Sequence, residues 1–261
     1  MIANFFQSLN SSGVEYLLIS GQATVLYGAA TFSEDIDIWI NPTPGNRERF
    51  FGVLRSIKAR YYKLTPPLTV SNLNRGHGCH FLFSDDAGNE VFLDVMGVPP
   101  RVRSFESAVA SARWMETQWG NVHTIGLKDL VEVKKTQRLE DYPIISNLAL
   151  AWFDQPECPG TPADFHWAAE NIFTLTALRT FFEEHGTAKT SNEIVPEMRG
   201  FAECIAGDQP VPEEIEGKLT VWMQQRIAAL QQADRAYWRE IIAELKQLRA
   251  DGKLMKEDSE V

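Results

Sequence analysis

Apolar residues at the start of the chain fall into runs of different period. Val14 to Ile19 (VEYLLI) is a short apolar stretch between Gly13 and Ser20-Gly21, the pattern of a buried strand ending in a turn. Gln22 to Tyr27 then reads as a helix that stops near Gly28. From Asp35 to Ile40 the period changes to two. On a strand, Asp35 and Asp37 point one way while Ile36, Ile38 and Ile40 point the other, into the core. Asn46 to Ile57 follows a helical period with Phe50, Phe51 and Leu54 as its buried face. His80 to Ser84 and Glu90 to Met96 are apolar runs joined by Asp85-Asp86-Ala87-Gly88-Asn89, which predicts a hairpin with Asp94 in mid-strand.

The second half of the chain has a helical period throughout. Gly126 to Leu150 contains a helix on which Lys134, Arg138 and Asp141, at i, i+4 and i+7, share one face. Residues 152–164 hold Trp152, Pro156, Pro159, Gly160 and Pro162 and read as a linker. Beyond it the pattern predicts a helix from Asp164 to Glu184 with Gly186 as its stop, and a second from about Glu193 to Ile205. A third follows Pro210 and Pro212 and runs from Glu213 towards Ala250, roughly 55 Å if unbroken. These elements divide the chain into an α/β domain with a mixed sheet (1–151), a linker (152–164) and an all-helical domain (165–261). A helix of that length is expected to pack along the first domain or to form a homodimer.

The chemistry suggested by this layout centres on carboxylates. Two Asp side chains on one strand face can hold Mg²⁺ together with substrate phosphates. The spacing alone decides nothing, since 13 Asp in 261 residues produce about 0.65 Asp-x-Asp pairs by chance. Its context adds weight. A helix beginning at Ser20-Gly21 directs free backbone N–H groups outward, and Gly21 permits close approach of a phosphate. Asp94 needs a partner or a metal if it faces inward, because a buried unpaired carboxylate is costly. The competing reading is an ordinary strand-to-helix turn beside an edge strand with two solvated acids.

The run from Ser20 to Ile40, with Asp94, resembles the nucleotidyltransferases of the DNA polymerase β superfamily: a small-residue turn, a helix, Asp-x-Asp, and a later Asp on another strand. The similarity covers roughly residues 1–150, with one departure, Ser20 in place of the family's first Gly. It implies a nucleotidyltransferase fold, Mg²⁺ or Mn²⁺ held by Asp35, Asp37 and Asp94, and an NTP over Ser20 and Gly21. Gly126 to Leu150 is similar to a helix of the bacterial branch that includes abortive-infection toxins. That similarity implies Lys134 on the triphosphate, with Arg138 and Asp141 supporting the site; a solvated helix face with an Arg–Asp pair explains the same spacing. The activity implied is transfer of NMP from an NTP to an acceptor hydroxyl on tRNA, a protein or a small molecule such as an antibiotic. The alternative is a nucleotide- or partner-binding module of a toxin–antitoxin type that has lost turnover.

Charge is unevenly distributed. The net charge is −1 for residues 1–150 and −9 for 151–261. Arg47, Arg49, Arg55, Lys58, Arg60 and Lys63 against Glu48 alone form a basic stretch that would steer phosphates or RNA, or would be the solvated side of a helix. The three cysteines lack Cys-x-x-Cys spacing, which argues against a disulfide framework or a structural zinc. His77, Cys79 and His80 lie too close in sequence to close a tetrahedral site by themselves. Arg179 and His185 have a spacing similar to helical ribonuclease domains, on adjacent rather than coincident faces. No segment approaches the roughly 20 apolar residues of a membrane span, so a cytoplasmic protein without membrane contact is expected.

Overall fold

The computed structural model describes residues 2–186 and 194–261. Its strands are β1 (Tyr16–Ile19), β2 (Ile36–Ile40), β3 (Arg60–Tyr61), β4 (Cys79–Ser84), β5 (Glu90–Met96), β6 (Arg113–Thr117) and β7 (Gly120–Thr124). The helices are α1 (Ile2–Ser11), α2 (Ser20–Leu26), α3 (Pro44–Ser56), α4 (Val70–Asn74), α5 (Phe105–Ser111), α6 (Leu127–Lys134), α7 (Asp141–Phe153), α8 (Pro162–Glu170), α9 (Leu175–His185), α10 (Pro196–Ala206) and α11 (Glu213–Ala250).

The strands form one seven-stranded mixed sheet, order β3-β4-β5-β2-β1-β7-β6. β2 runs parallel to β5 and β1 parallel to β7, while the other neighbours are antiparallel. The alternation read from the sequence sets its two faces. Ile36, Ile38, Leu93, Val95, Phe81 and Phe83 are buried, and rings from α1 and α3 pack against this side: Phe5 on Phe83 at 5.5 Å, Phe50 on Phe81 at 6.4 Å. Asp37, Phe92, Asp94 and His80 occupy the opposite, half-exposed face. Burying the apolar face supplies the main favourable free energy of such a sheet. Helix α1 was not apparent from the sequence, though its Phe5, Phe6 and Leu9 are fully buried.

Two compact units emerge. One comprises the chain up to Leu26, Ala30–Val133 and Ala236–Val261; the other comprises Tyr27–Ala29 and Lys134–Arg235. In the first, the end of the chain returns to the sheet edge. Tyr61 N donates to Ser259 O and Asp258 N to Tyr61 O, both at 2.9 Å, and Val261 N reaches Ala59 O at 3.1 Å. The short β3 is thereby covered instead of presenting unpaired backbone.

The second unit is helical among its described residues. Its core joins Phe165, Phe181, Phe182, Met198, Phe201, Leu219 and Met223. The single helix expected from Asp164 to Glu184 is two, α8 and α9. The first ends at Glu170 with Asn171 as its cap, and Thr174, whose side chain accepts from Ala177 N, caps the next, while between them Phe173 N donates to Ser146 Oγ at 2.9 Å. The start of the next helix expected at Glu193 lies outside the described residues; α10 begins at Pro196. The long helix has the expected bounds, Glu213–Ala250. No helix among the described residues is long and apolar enough to cross a membrane.

Candidate functional site

The carboxylates of the sequence motif converge through strand register. Asp37 lies on β2 and pairs across the parallel ladder with Asp94 on β5, and Asp94 pairs across the antiparallel ladder with His80 on β4. Asp35 precedes β2 by one residue. A cross-strand row of Ile19, Asp37, Asp94 and His80 therefore spans four neighbouring strands. His80 Nδ1 is 2.7 Å from Asp94 Oδ1, with both side chains a little over a quarter exposed. The backbone of His80 is fixed as well: its N–H donates to Thr65 Oγ1 at 3.1 Å, and its carbonyl accepts from Tyr62 N at 2.9 Å.

Electrostatics tie Asp35 to this row. Burial raises the pKa of its carboxyl above the usual range, the charge of Asp94 raises it further, Lys63 opposes and Glu34 adds a little. Mutual repulsion of this kind is relieved by a cation. The donors are all carboxylate oxygens, which suit a hard divalent ion rather than zinc or copper. They are not drawn tightly together: among the described residues, the group whose ligand atoms all lie within 4.8 Å of one another is instead Asp154, Glu184 and His185. That group is largely exposed, and His185 Nε2 already lies 2.8 Å from Asp154 Oδ1.

The Ser20-Gly21 turn lies at the same end of the sheet, since Ile19 is in register with Asp37. Ser20 adopts a left-handed backbone, φ 56°, the conformation that glycine tolerates best. Gly21 has no space for a side chain, because a Cβ there would overlap Ser33. The close approach that glycine permits is taken by the loop leading to Asp35: Gln22 Nε2 donates to Ser33 O at 2.7 Å, and Ser33 Oγ to Asp35 O at 3.4 Å.

Lys134, Arg138 and Asp141 do come together, though not on one helical face. The helix expected across them is broken, with α6 ending at Lys134 and α7 starting at Asp141. Asp141 Oδ1 accepts from Lys134 Nζ at 3.0 Å, and Oδ2 from Arg138 Nε at 3.1 Å and from Thr136 Oγ1. Lys134 and Asp141 are buried and Arg138 is exposed, so most of the cluster is not a solvated face. Placing Asp141 in the first turn of α7 also complements the helix dipole. The break has a cause: the carboxylate satisfies Thr136 and Arg138, and Tyr142 Oη donates to Thr136 O at 2.9 Å, more bonds than a continuous helix leaves for these groups.

Other motifs separate. Cys79 points to the apolar face, where burial pushes its thiol up to about 12, and it is neither a ligand nor a nucleophile there. His77 is buried, with Nε2 2.9 Å from Glu244 Oε2, while His80 belongs to the carboxylate row. Arg179 pairs with Glu216 at 3.1 Å and His185 with Asp154, so they do not act on one point. In the basic stretch, Arg47 and Arg55 lie over the Phe51 ring, and Arg60 pairs with Glu90 and Asp258. Phe50 and Leu54 are fully buried as expected, whereas Phe51 lies half-buried beneath these guanidinium groups.

No protein-family model matches this chain, and no curated protein matches it.

Proposed function

We propose that this protein is a divalent-metal-dependent nucleotidyltransferase that moves NMP from an NTP to an acceptor hydroxyl. The observation that carries the proposal is the register of Asp37 with Asp94, with Asp35 electrostatically coupled to Asp94 on the same half-exposed face. The residue chemistry suits Mg²⁺ or Mn²⁺: hard oxygen donors, with Asp35 partly desolvated and repelled by Asp94. Asp35, Asp37 and Asp94 would hold the ion, which when bound supplies charge neutralisation at the phosphoryl oxygens. Asp94, which His80 contacts at 2.7 Å, would complete the ion's shell or take the acceptor's proton. The acceptor oxygen bonds to the α-phosphorus as the bond to the β-phosphate oxygen breaks, and pyrophosphate leaves.

The proposal rests on site chemistry and on the motif order, not on the sheet topology alone, because one fold hosts many functions. It is tested by incubating the protein with each α-labelled NTP, Mg²⁺ and a cell extract separated into RNA, protein and small-molecule fractions. Label in one fraction identifies the acceptor class. A second reading, a binding module without turnover, is favoured by Ser33 filling the space beside Gly21. Measurable NTP binding with no labelled product in any fraction would select that reading.

A further inference from the structure

A cavity of about 950 Å³ lies in the first unit, walled by Phe32, Phe92 and Trp119 and by Glu34, Asp85 and Glu90. Among the described residues, its lining contains no Lys, Arg or His. The aromatic walls differ in how they are held. Trp119 stacks on Phe6 at 5.7 Å with 18° between planes, and Phe92 packs on Tyr62 at 5.0 Å, so both are fixed. Phe32 is 73% exposed, so one face of its ring is open to a ligand in the cavity.

The charged walls all carry one sign, beside neutral Gln22, Ser33 and Gln118. Asp85 is held as a carboxylate by three donors, Ala87 N, Asn89 N and Asn89 Nδ2, at 2.8–2.9 Å. Glu90 is partly offset by Arg60 at 3.6 Å, on its exposed side. Glu34 and Asp85 carry the remaining negative charge of the walls, against Lys63, which lies 4.7 Å over the Tyr62 ring that backs Phe92. Aromatic faces attract cations and carboxylates complement them, whereas a phosphate or nucleic-acid backbone would be repelled. We propose that this cavity binds a small organic cation, an amine or quaternary ammonium attached to an aromatic or alkyl body. The apolar body packs on Trp119 and Phe92, and the cationic head lies between Phe32 and Glu34.

The proposal does not depend on nucleotide transfer. Its test uses three probes in calorimetry with the full chain: benzyltrimethylammonium, its neutral carbon isostere neopentylbenzene, and the anion benzylphosphonate. The cation is expected to bind about tenfold more tightly than the neutral isostere, with the anion not binding. Glu34→Gln and Phe32→Ala, both at exposed positions where folding is insensitive, are each expected to weaken the cation about threefold or more; Glu34→Gln leaves the neutral isostere unchanged, and Phe32→Ala weakens it less than it weakens the cation. Equal affinity for cation and isostere, or cation binding unaltered by both variants, would overturn the proposal, as would the absence of cation binding at roughly 10 mM probe.

Discussion

His80 and Asp94 face each other across β4 and β5, with the imidazole Nδ1 2.7 Å from the carboxylate Oδ1. The ring fixes the direction of the one carboxylate that lies beside Asp37 in the ladder. A pair this exposed contributes only about 0–1 kcal/mol to stability, so its role is orientation. Loss of an orienting partner next to a metal ligand lowers affinity or activity about 10- to 100-fold. His80→Ala is therefore expected to shift the urea midpoint little and to reduce label transfer by one to two orders of magnitude. Transfer at the wild-type rate would remove His80 from the site.

The carboxylate row also makes a prediction about metal and pH. Asp35 has its folded pKa raised above the ordinary 3.8, first by burial and then by Asp94. With a raised carboxylate the folded state binds the extra proton, so this contribution to stability is present below the unfolded pKa and is lost as pH rises through the folded pKa. At neutral pH the row is thus strained by its own charge. Mg²⁺ is expected to raise the melting temperature of the wild-type protein and to do so far less for Asp37→Asn, whose melting temperature without metal is unchanged or slightly higher. Asp94→Asn should lower the titration midpoint of Asp35 followed by carbon-13 NMR. A Mg²⁺ shift of equal size in wild type and Asp37→Asn contradicts the metal assignment.

Much of this arrangement was legible in the sequence for a physical reason. Strand alternation is strict, so Asp37 between Ile36 and Ile38 announces its face, and Gly88 in a five-residue polar gap announces the β4–β5 hairpin. That β2 and β5 are adjacent and parallel is not written locally. It is set by packing of Ile38 and Val95 over the same buried face, and it brings Asp37 beside Asp94. Likewise the period of 126–150 fits one helix, but the period does not register that Asp141 satisfies three donors only if the helix breaks between Lys134 and Asp141. His80 was visible as one of three adjacent metal-capable residues and as the start of a strand near the site, a contact for nucleotide or acceptor. The partner that gives it meaning is 14 positions away.

The Lys134–Asp141 pair is expected to act as a structural clamp for the 135–140 connection. Both side chains are more than nine-tenths buried, and removing one partner of a buried pair costs about 3–5 kcal/mol. Lys134→Met should destabilise less than Asp141→Ala, because Asp141 keeps Arg138 and Thr136 whereas Lys134 loses its carboxylate. Chemical denaturation of the two variants and the double mutant would measure the coupling. Two single variants with wild-type stability would show that the clamp is not needed.

His123 supplies a pH dependence of opposite sign to that of Asp35. Its ring stacks on Trp114 at 4.5 Å with 6° between planes, and burial lowers its pKa below the ordinary 6.5. The folded state therefore favours the neutral ring. Below pH about 6.5 the unfolded chain takes up a proton that the folded chain refuses, so this contribution is full above 6.5 and declines as pH falls towards the folded pKa. His123→Phe keeps an aromatic ring against Trp114 but cannot titrate. The difference in unfolding free energy between wild type and His123→Phe should be flat from pH 7 to 8 and should move against the wild type as pH falls below 6.5. Because the other histidines are common to both proteins, their titration cancels in the difference. A difference that stays constant from pH 8 to 5 would show that the ring titrates in the folded protein as it does in the unfolded chain.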